Sequence, residues 1–247
     1  MVASAFGAYR DRAWRDRLGD EVLHDHLSDL SETHGWSASR HPQAPGGSRQ
    51  PLWEIFDAGP LHPAPEGDES ALVAWCHVGL LTPPEERLPA EELLACLDQA
   101  ITRLGALDLR AVQVLLPLDS LSVQDSRRRH RERGASASGA TGDVVAVSMD
   151  AGQRHDTRKA LAALADAEAS TGRAPSRRGG VAARLPPYVV GDAFWGGPPA
   201  DPATFMTRVS SWDLTGVGRA VAELADAAVV AGAQSPVMLT VVAESEV

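Results

Sequence analysis

Cysteine, lysine and aromatic residues are scarce in this chain of 247 residues. The two cysteines, Cys76 and Cys96, supply neither a disulfide framework nor, by themselves, a metal cluster. Lys159 is the only lysine, so arginine carries nearly all of the positive charge. The formal net charge of -10 disfavours broad binding of nucleic acids, because the field of the whole protein would repel a polyanion.

Long apolar runs are also absent from the sequence. No stretch approaches the roughly 20 apolar residues that cross a bilayer, and residues 1–9 lack the basic start and apolar core of a secretory signal. The hydrophobic share of 44% still allows a sizeable core, in one large domain or two ordinary ones. We therefore expect a cytoplasmic protein with neither a membrane nor a nucleic acid as partner.

Established catalytic motifs are missing as well. The chain has no Gly-x-Ser-x-Gly elbow and no phosphate loop ending in Gly-Lys-Ser/Thr, which argues against α/β-hydrolases and nucleotide-hydrolysing enzymes. The run 215–219 opens a helix after a strand, but it lacks the third glycine of a dinucleotide fingerprint. We interpret it as a helix start capped by Asp213 or Thr215.

What the sequence does contain is a regular succession of apolar strands and amphipathic helices. The first half predicts a helix over 10–30, strands over 52–57, 71–81 and 110–116, and a helix that Gly105 ends. The opening strand of this half is either missing or lies within 1–9. The second half predicts strands over 144–149, 205–211 and 237–242, helices over 156–170 and 217–231, and an extended segment over 179–185.

An arginine-rich run over 127–133, followed by small residues, separates the two halves. No aromatic residues interleave with it, so it is not suited to stacking on single-stranded nucleic acid. We predict a disordered linker over 122–142 between a first half, 1–121, and a second half, 143–247. The alternative is a loop that recruits an acidic partner.

The two halves show the same order of predicted elements when Gly105 is aligned with Gly232, an offset of 232 − 105 = 127. Strand, helix, a Gly-Ala helix stop and strand then recur in order. This predicts an α+β fold of two tandem ferredoxin-like (βαββαβ) halves with antiparallel sheets, packed face to face or closed into an α/β barrel. The alternative is an α/β protein that repeats βαβ units without duplication.

This order of elements resembles the dimeric α/β-barrel superfamily, fused here into one chain. The resemblance covers most of the chain and rests on element order, with no matching family motif. It implies a cofactor-free cyclase or monooxygenase of bacterial specialised metabolism, such as antibiotic biosynthesis, acting on a polyketide-like or aromatic substrate. Haem-binding members leave haem open, with His77 or His155 as ligand. The composition is typical of GC-rich actinobacteria, and a homodimer is a further expectation.

The candidate site centres on the strand over 71–81, where Trp75 and His77 share one face. A histidine titrates near neutrality and can act as a general base. When Val78 is aligned with Val209, the equivalent strand of the second half carries Met206 and Arg208. We predict that two residues are catalytic and that four line an apolar pocket. The catalytic residues are His77 and Arg208, and the substrate-binding residues are Trp75, Met206, Trp195 and Trp212.

Three alternatives stay open at this point. The loop 194–199 is either a lid over a ligand or an anchor that buries Trp195. The histidines at 24, 26 and 34 lie among acidic residues, but without a His-Glu-x-x-His pattern we expect a solvated polar face and no metal. Finally, the protein is either an enzyme with His77 in a cavity wall or a non-catalytic binding or assembly module that uses an exposed sheet or the arginine-rich run.

Overall fold

The structure is a computed structural model that describes residues 1–10, 20–37, 53–59, 72–80, 88–136, 142–170, 185–191 and 198–243. These ranges contain seven strands: β1 (Val2–Tyr9), β2 (Trp53–Gly59), β3 (Leu72–Leu80), β4 (Leu107–Leu116), β5 (Asp143–Asp150), β6 (Ala203–Val209) and β7 (Val237–Ala243). They also contain five helices: α1 (Asp20–Thr33), α2 (Ala90–Leu104), α3 (Val123–Ser136), α4 (His155–Ser170) and α5 (Leu214–Ala231).

The described strands form a single open sheet in the order β2-β3-β1-β4-β7-β5-β6, and every neighbouring pair is antiparallel. The predicted α+β class is confirmed, and β1 is the opening strand that the sequence left undecided. β4 and β7 pair at the centre, so the sheet continues from one half of the chain into the other. The expected face-to-face packing or closed barrel is wrong for the described strands, because β2 and β6 are the two outer strands and do not pair with each other.

Helix α5 lies over the centre of the sheet and contacts α2, α3 and α4. Its start is capped by Asp213, whose carboxylate accepts a hydrogen bond from the backbone N–H of Gly216 at 2.6 Å. Its end is Gly232, which has φ of 106°, a left-handed conformation that favours glycine. The cap at Asp213 and the end at Gly232 agree with the sequence-based prediction, but the helix begins three residues before the predicted residue 217.

The main core lies between the helices and one face of the sheet. Alternate strand residues point into it, as expected for a period of two. They include Ala3, Ala5, Cys76, Val78, Val112, Val114, Val145, Val147, Leu239 and Val241. We call the opposite side the helix-free face, because no described helix packs on it. A segment over 185–191 crosses the helix-free face and contributes to a smaller apolar cluster there.

Residues 123–136 form helix α3, where the sequence predicts a disordered linker. Arg129 and Arg133, one turn apart, donate to the carboxylate of Asp226 on α5. Asp226 is only 3% exposed, and a carboxylate buried that deeply needs cationic partners. Docking on this charge accounts for the ordered helix.

Some predicted segments lie outside the described residues. These are the first part of the N-terminal helix, nearly all of 179–185 and most of the loop 194–199. Among the helices that the structure describes, none is long and apolar enough to cross a membrane.

Candidate functional site on the helix-free face

Trp75 and His77 lie on the helix-free face of β3, as their spacing predicts. His77 is opposite Asp57 of β2, while Trp75 is opposite Gly59. The ring of Phe56 is tilted by 53° against the imidazole, with the ring centroids 5.5 Å apart. These residues form an aromatic patch at the β2–β3 end of the sheet, which we define as Phe56, Trp75 and His77.

The position of Phe56 depends on a close approach to Gly79. A Cβ atom at residue 79 would lie 1.5 Å from a ring carbon of Phe56, so no other residue type fits without displacing that ring. Phe56 is 42% exposed, so the patch presents an apolar surface at this end of the sheet.

Burial lowers the pKa of His77 below its ordinary value, the positive charge of the N-terminal amine lowers it further, and the charge of Asp57 opposes both effects. The imidazole is therefore neutral at pH 7 and can accept a proton. Asp57, on the neighbouring strand, is placed to favour the imidazolium that would form.

A row of polar residues crosses the middle of the helix-free face next to this patch. The strand register pairs Trp75 with Ser4, Ser4 with Gln113, Gln113 with Thr240, and Thr240 with Ser148. The last four, which we call the polar row, belong to four adjacent strands, β1, β4, β7 and β5. All four are between 1% and 2% exposed. Polar side chains this deeply buried normally have hydrogen-bond partners.

Three atoms of the polar row have no such partner among the described residues. They are Gln113 Oε1, Thr240 Oγ1 and Ser148 Oγ. The other end of the Gln113 amide is held, because its Nε2 donates to the carbonyl of Pro186 at 3.0 Å and to that of Pro187 at 3.4 Å. Those carbonyls only accept, so the amide orientation is fixed and Oε1 is left as an acceptor.

The segment 185–191 is held on this face by Asp150 at the end of β5. Tyr188 donates its hydroxyl to Asp150 Oδ2 at 3.1 Å, and Asp150 also accepts from the backbone N–H of Gly152 at 2.8 Å. The ring of Tyr188 packs with Val190 against an apolar pair. That pair is Leu115 and Met238, which adjoin Gln113 and Thr240 on the same face.

The structure does not bring His77 and Arg208 together. They share the helix-free face, but β3 and β6 are five strand spacings apart, which corresponds to about 24 Å along the sheet. Arg208 is exposed, and its Nη1 donates to the backbone carbonyl of Gly142 at 2.8 Å. The two residues therefore cannot act on one small substrate as a pair.

The remaining predicted lining residues are also dispersed. Met206 lies on β6, where it pairs with Ala146 of β5. β6 is the edge strand farthest from the β2–β3 end of the sheet, where Trp75 lies. The indole of Trp212 donates to the carbonyl of Leu109 at 2.9 Å and packs against the main core, which is a structural contact. Trp195 lies outside the described residues.

The described residues contain no group of three or more His, Cys, Asp or Glu side chains that could hold a metal ion. His24 lies 3.6 Å from Asp25, and His155 is exposed at the start of α4. Burial raises the pKa of Cys76 to about 12, so its thiol stays protonated at neutral pH. The absence of a cofactor stays a prediction.

Sequence reasoning missed Asp57, Phe56 and the polar row. The row did leave a signal, because Gln113, Thr240 and Ser148 each interrupt an apolar strand with a single polar residue.

Comparisons with models of protein families, with curated proteins and with solved structures gave no match to this chain.

Proposed function

We propose that the chain is a tandem of two ferredoxin-like halves, 1–121 and 143–247, fused edge to edge. The strand order supports this, since β3-β1-β4 of the first half is matched by β6-β5-β7 of the second, while β2 has no counterpart among the described residues. The offset of 127 that aligns Gly105 with Gly232 also relates Gln113 to Thr240, and 240 − 113 = 127. These two residues are paired neighbours, as expected if a local two-fold axis passes between β4 and β7.

We propose further that the protein is a cytoplasmic small-molecule enzyme that works without a cofactor. It would take an aromatic, largely uncharged substrate of polyketide type on the helix-free face, in bacterial specialised metabolism. The observation that carries this proposal is the aromatic patch, in which a neutral His77 lies beside Trp75 and Phe56 and opposite Asp57. Aromatic side chains bind flat rings, and a neutral imidazole among them can remove a proton.

The chemistry follows from a base beside an aromatic surface. His77 takes a proton from an acidic C–H of the substrate, and the imidazolium is stabilised by Asp57. The resulting carbanion either attacks a carbonyl carbon of the same molecule, as in a cyclase, or is oxidised by dissolved dioxygen, as in a cofactor-free monooxygenase. In the second case one oxygen atom enters the product and the other leaves as water.

Anthrone is a suitable probe, because its methylene group is acidic and its conversion by one dioxygen to anthraquinone and water is balanced. Dioxygen uptake and anthraquinone absorbance would be followed with the whole chain. General-base catalysis contributes about 10²- to 10⁴-fold, so we expect His77→Gln to lose at least about 100-fold in rate. His130→Gln on α3, an exposed histidine, is the matched control and should react as the wild type does. Equal rates for both variants would exclude His77 as the base.

A non-catalytic assembly role is the second candidate, favoured by the outer side of α3. Arg129 and Arg133 are occupied by Asp226, but Arg127 and Arg131 are exposed on the same helix and could meet an acidic partner. A rate of anthrone oxidation no higher than that in buffer, with wild type and His77→Gln alike, would favour this role. A homodimer is likewise a proposal, tested by the mass in solution.

A further inference from the structure

We propose that the polar row is a binding subsite for an uncharged group that donates a hydrogen bond, such as a phenolic or alcoholic hydroxyl. The inference rests on the proposed function in placing a small molecule on the helix-free face. It adds the part of the face that recognises the ligand and the chemistry of the group that is recognised.

Buried polar atoms without partners converge along the polar row. Gln113, Thr240 and Ser148 are register partners on adjacent strands, so neighbouring side chains in the row are about 5 Å apart. Each carries a buried oxygen that lacks a partner within the described chain. Isolated unpaired polar atoms occur in many proteins, but three in a line on one face suggest that a molecule from outside supplies the partners.

The hydrogen-bonding groups of the row determine what kind of molecule fits. Gln113 Oε1 can only accept, since its amide nitrogen is committed to the carbonyls of Pro186 and Pro187. A ligand must therefore present a donor at this point, while the hydroxyls of Thr240 and Ser148 can donate to it or accept from it. The row itself carries no charge, so it offers nothing to balance an ionised ligand in a buried position.

Apolar side chains flank Gln113 and Thr240 on both sides. Leu115 and Met238 border Gln113 and Thr240 on one side, where Tyr188 and Val190 pack over them. On β5 that side continues with Asp150, whose carboxylate accepts hydrogen bonds from Tyr188 and from the backbone of Gly152. On the other side the same register places Ala111 and Ala146, both buried. A polar strip bordered by apolar side chains at Gln113 and Thr240 suits a hydrocarbon or aromatic body that carries a hydroxyl group.

The row also adjoins the aromatic patch, because Trp75 is the register partner of Ser4. From Trp75 to Gln113 is two strand spacings, or about 10 Å. A molecule of two or three fused rings can span that distance, with its hydroxyl at Gln113 and its far ring beside Trp75.

The test compares 1-naphthol with 1-methoxynaphthalene by calorimetry on the whole chain. The two probes have the same ring system, but only naphthol can donate. We expect naphthol to bind about tenfold more tightly, the usual consequence of one hydrogen bond to a buried acceptor. This preference should fall to near unity in Gln113→Leu and in Gln113→Met, which both remove the acceptor, and either of them suffices if the other fails to fold. It should persist in Thr207→Val, a polar-to-apolar change on the helix-facing side of β6.

Equal affinity of the two probes for the wild type, or no binding of either, would overturn the inference and indicate that water alone occupies the row. Retention of the preference in both row variants would overturn it as well. The result is separable from the proposed catalysis, because the affinity of naphthol is measured without turnover and needs no proton transfer to His77. A preference for naphthol without anthrone turnover would support the subsite and contradict the proposed enzyme activity. Anthrone turnover without a preference for naphthol would support the enzyme activity and contradict the subsite.

Discussion

Arg129 Nη2 lies 2.7 Å from Asp226 Oδ1, and this contact joins the helix between the two halves to the central helix of the second half. Arg129 also donates through its Nε to the same carboxylate, and Arg133 Nη1 lies 3.2 Å from Asp226 Oδ2. The side chain of Asp226 is 5% exposed and that of Arg129 is 14% exposed. A two-pronged guanidinium contact at this depth fixes the position of α3 as well as its charge.

Removing the charge of Arg129 should therefore destabilise the protein. We expect Arg129→Met to lower the free energy of unfolding by about 3 kcal/mol, because Asp226 stays buried with one partner fewer. Arg131→Met on the same helix is the control. Arg131 is exposed, so its loss should change stability by less than about 0.5 kcal/mol. Urea unfolding monitored by circular dichroism measures both.

Equal stabilities for the two variants would mean that α3 does not dock on α5. Limited digestion with trypsin gives an independent check, since the helix contains several arginines. The wild type should resist cleavage between 123 and 136, and Arg129→Met should be cut there faster. Rapid cleavage of the wild type in this range would contradict a docked helix and support the prediction of a disordered linker.

The sequence was sufficient for most strands and helices because their signals are local, although it left β1 undecided. Apolar periodicity located β3, β5 and β7, and Gly105 and Gly232 marked the ends of α2 and α5. It failed for α3, because arginine-rich composition resembles that of a solvated segment and the stabilising carboxylate is 97 residues away. The lone Asp226 in the apolar run of α5 was the available clue.

The candidate site was predictable only in part, for a similar reason. Alternation along β3 correctly placed Trp75 and His77 on one face, since that is a property of a single strand. Whether His77 and Arg208 meet depends on strand order, which strand periodicity does not encode. Two stacked sheets would have brought them together, whereas one continuous sheet separates them.

Asp98 provides a prediction about pH. Burial, together with the charge of Asp213, raises the pKa of Asp98 above its ordinary value of 3.8. A carboxyl group with a raised folded-state pKa favours folding when protonated, and this contribution is lost as pH rises through that pKa. We expect Asp98→Asn to be more stable than the wild type at pH 7, with the difference vanishing as the pH falls below 3.8. Thermal unfolding between pH 3 and pH 7 measures this, and a difference that grows on acidification would contradict it.

Gly79 links the backbone of β3 to the aromatic patch. Alanine at this position would force the ring of Phe56 away from His77. We expect Gly79→Ala to lower the rate of anthrone oxidation by about tenfold or more, because small misplacements near the reacting group are costly. Gly191→Ala is the control, since a Cβ there meets nothing within 4 Å. An unchanged rate in Gly79→Ala would show that Phe56 does not help to position the substrate.

The most direct test of the account is a map of ligand contacts by nuclear magnetic resonance. The ¹⁵N-labelled chain would be titrated with 1-naphthol while side-chain N–H signals are observed. We predict shifts of the Gln113 amide and the Trp75 indole, which face the proposed ligand, and none of the Trp212 indole, which donates to Leu109 in the core. Shifts confined to residues of the helix layer, with Gln113 and Trp75 unmoved, would contradict the claim that the helix-free face is the functional surface.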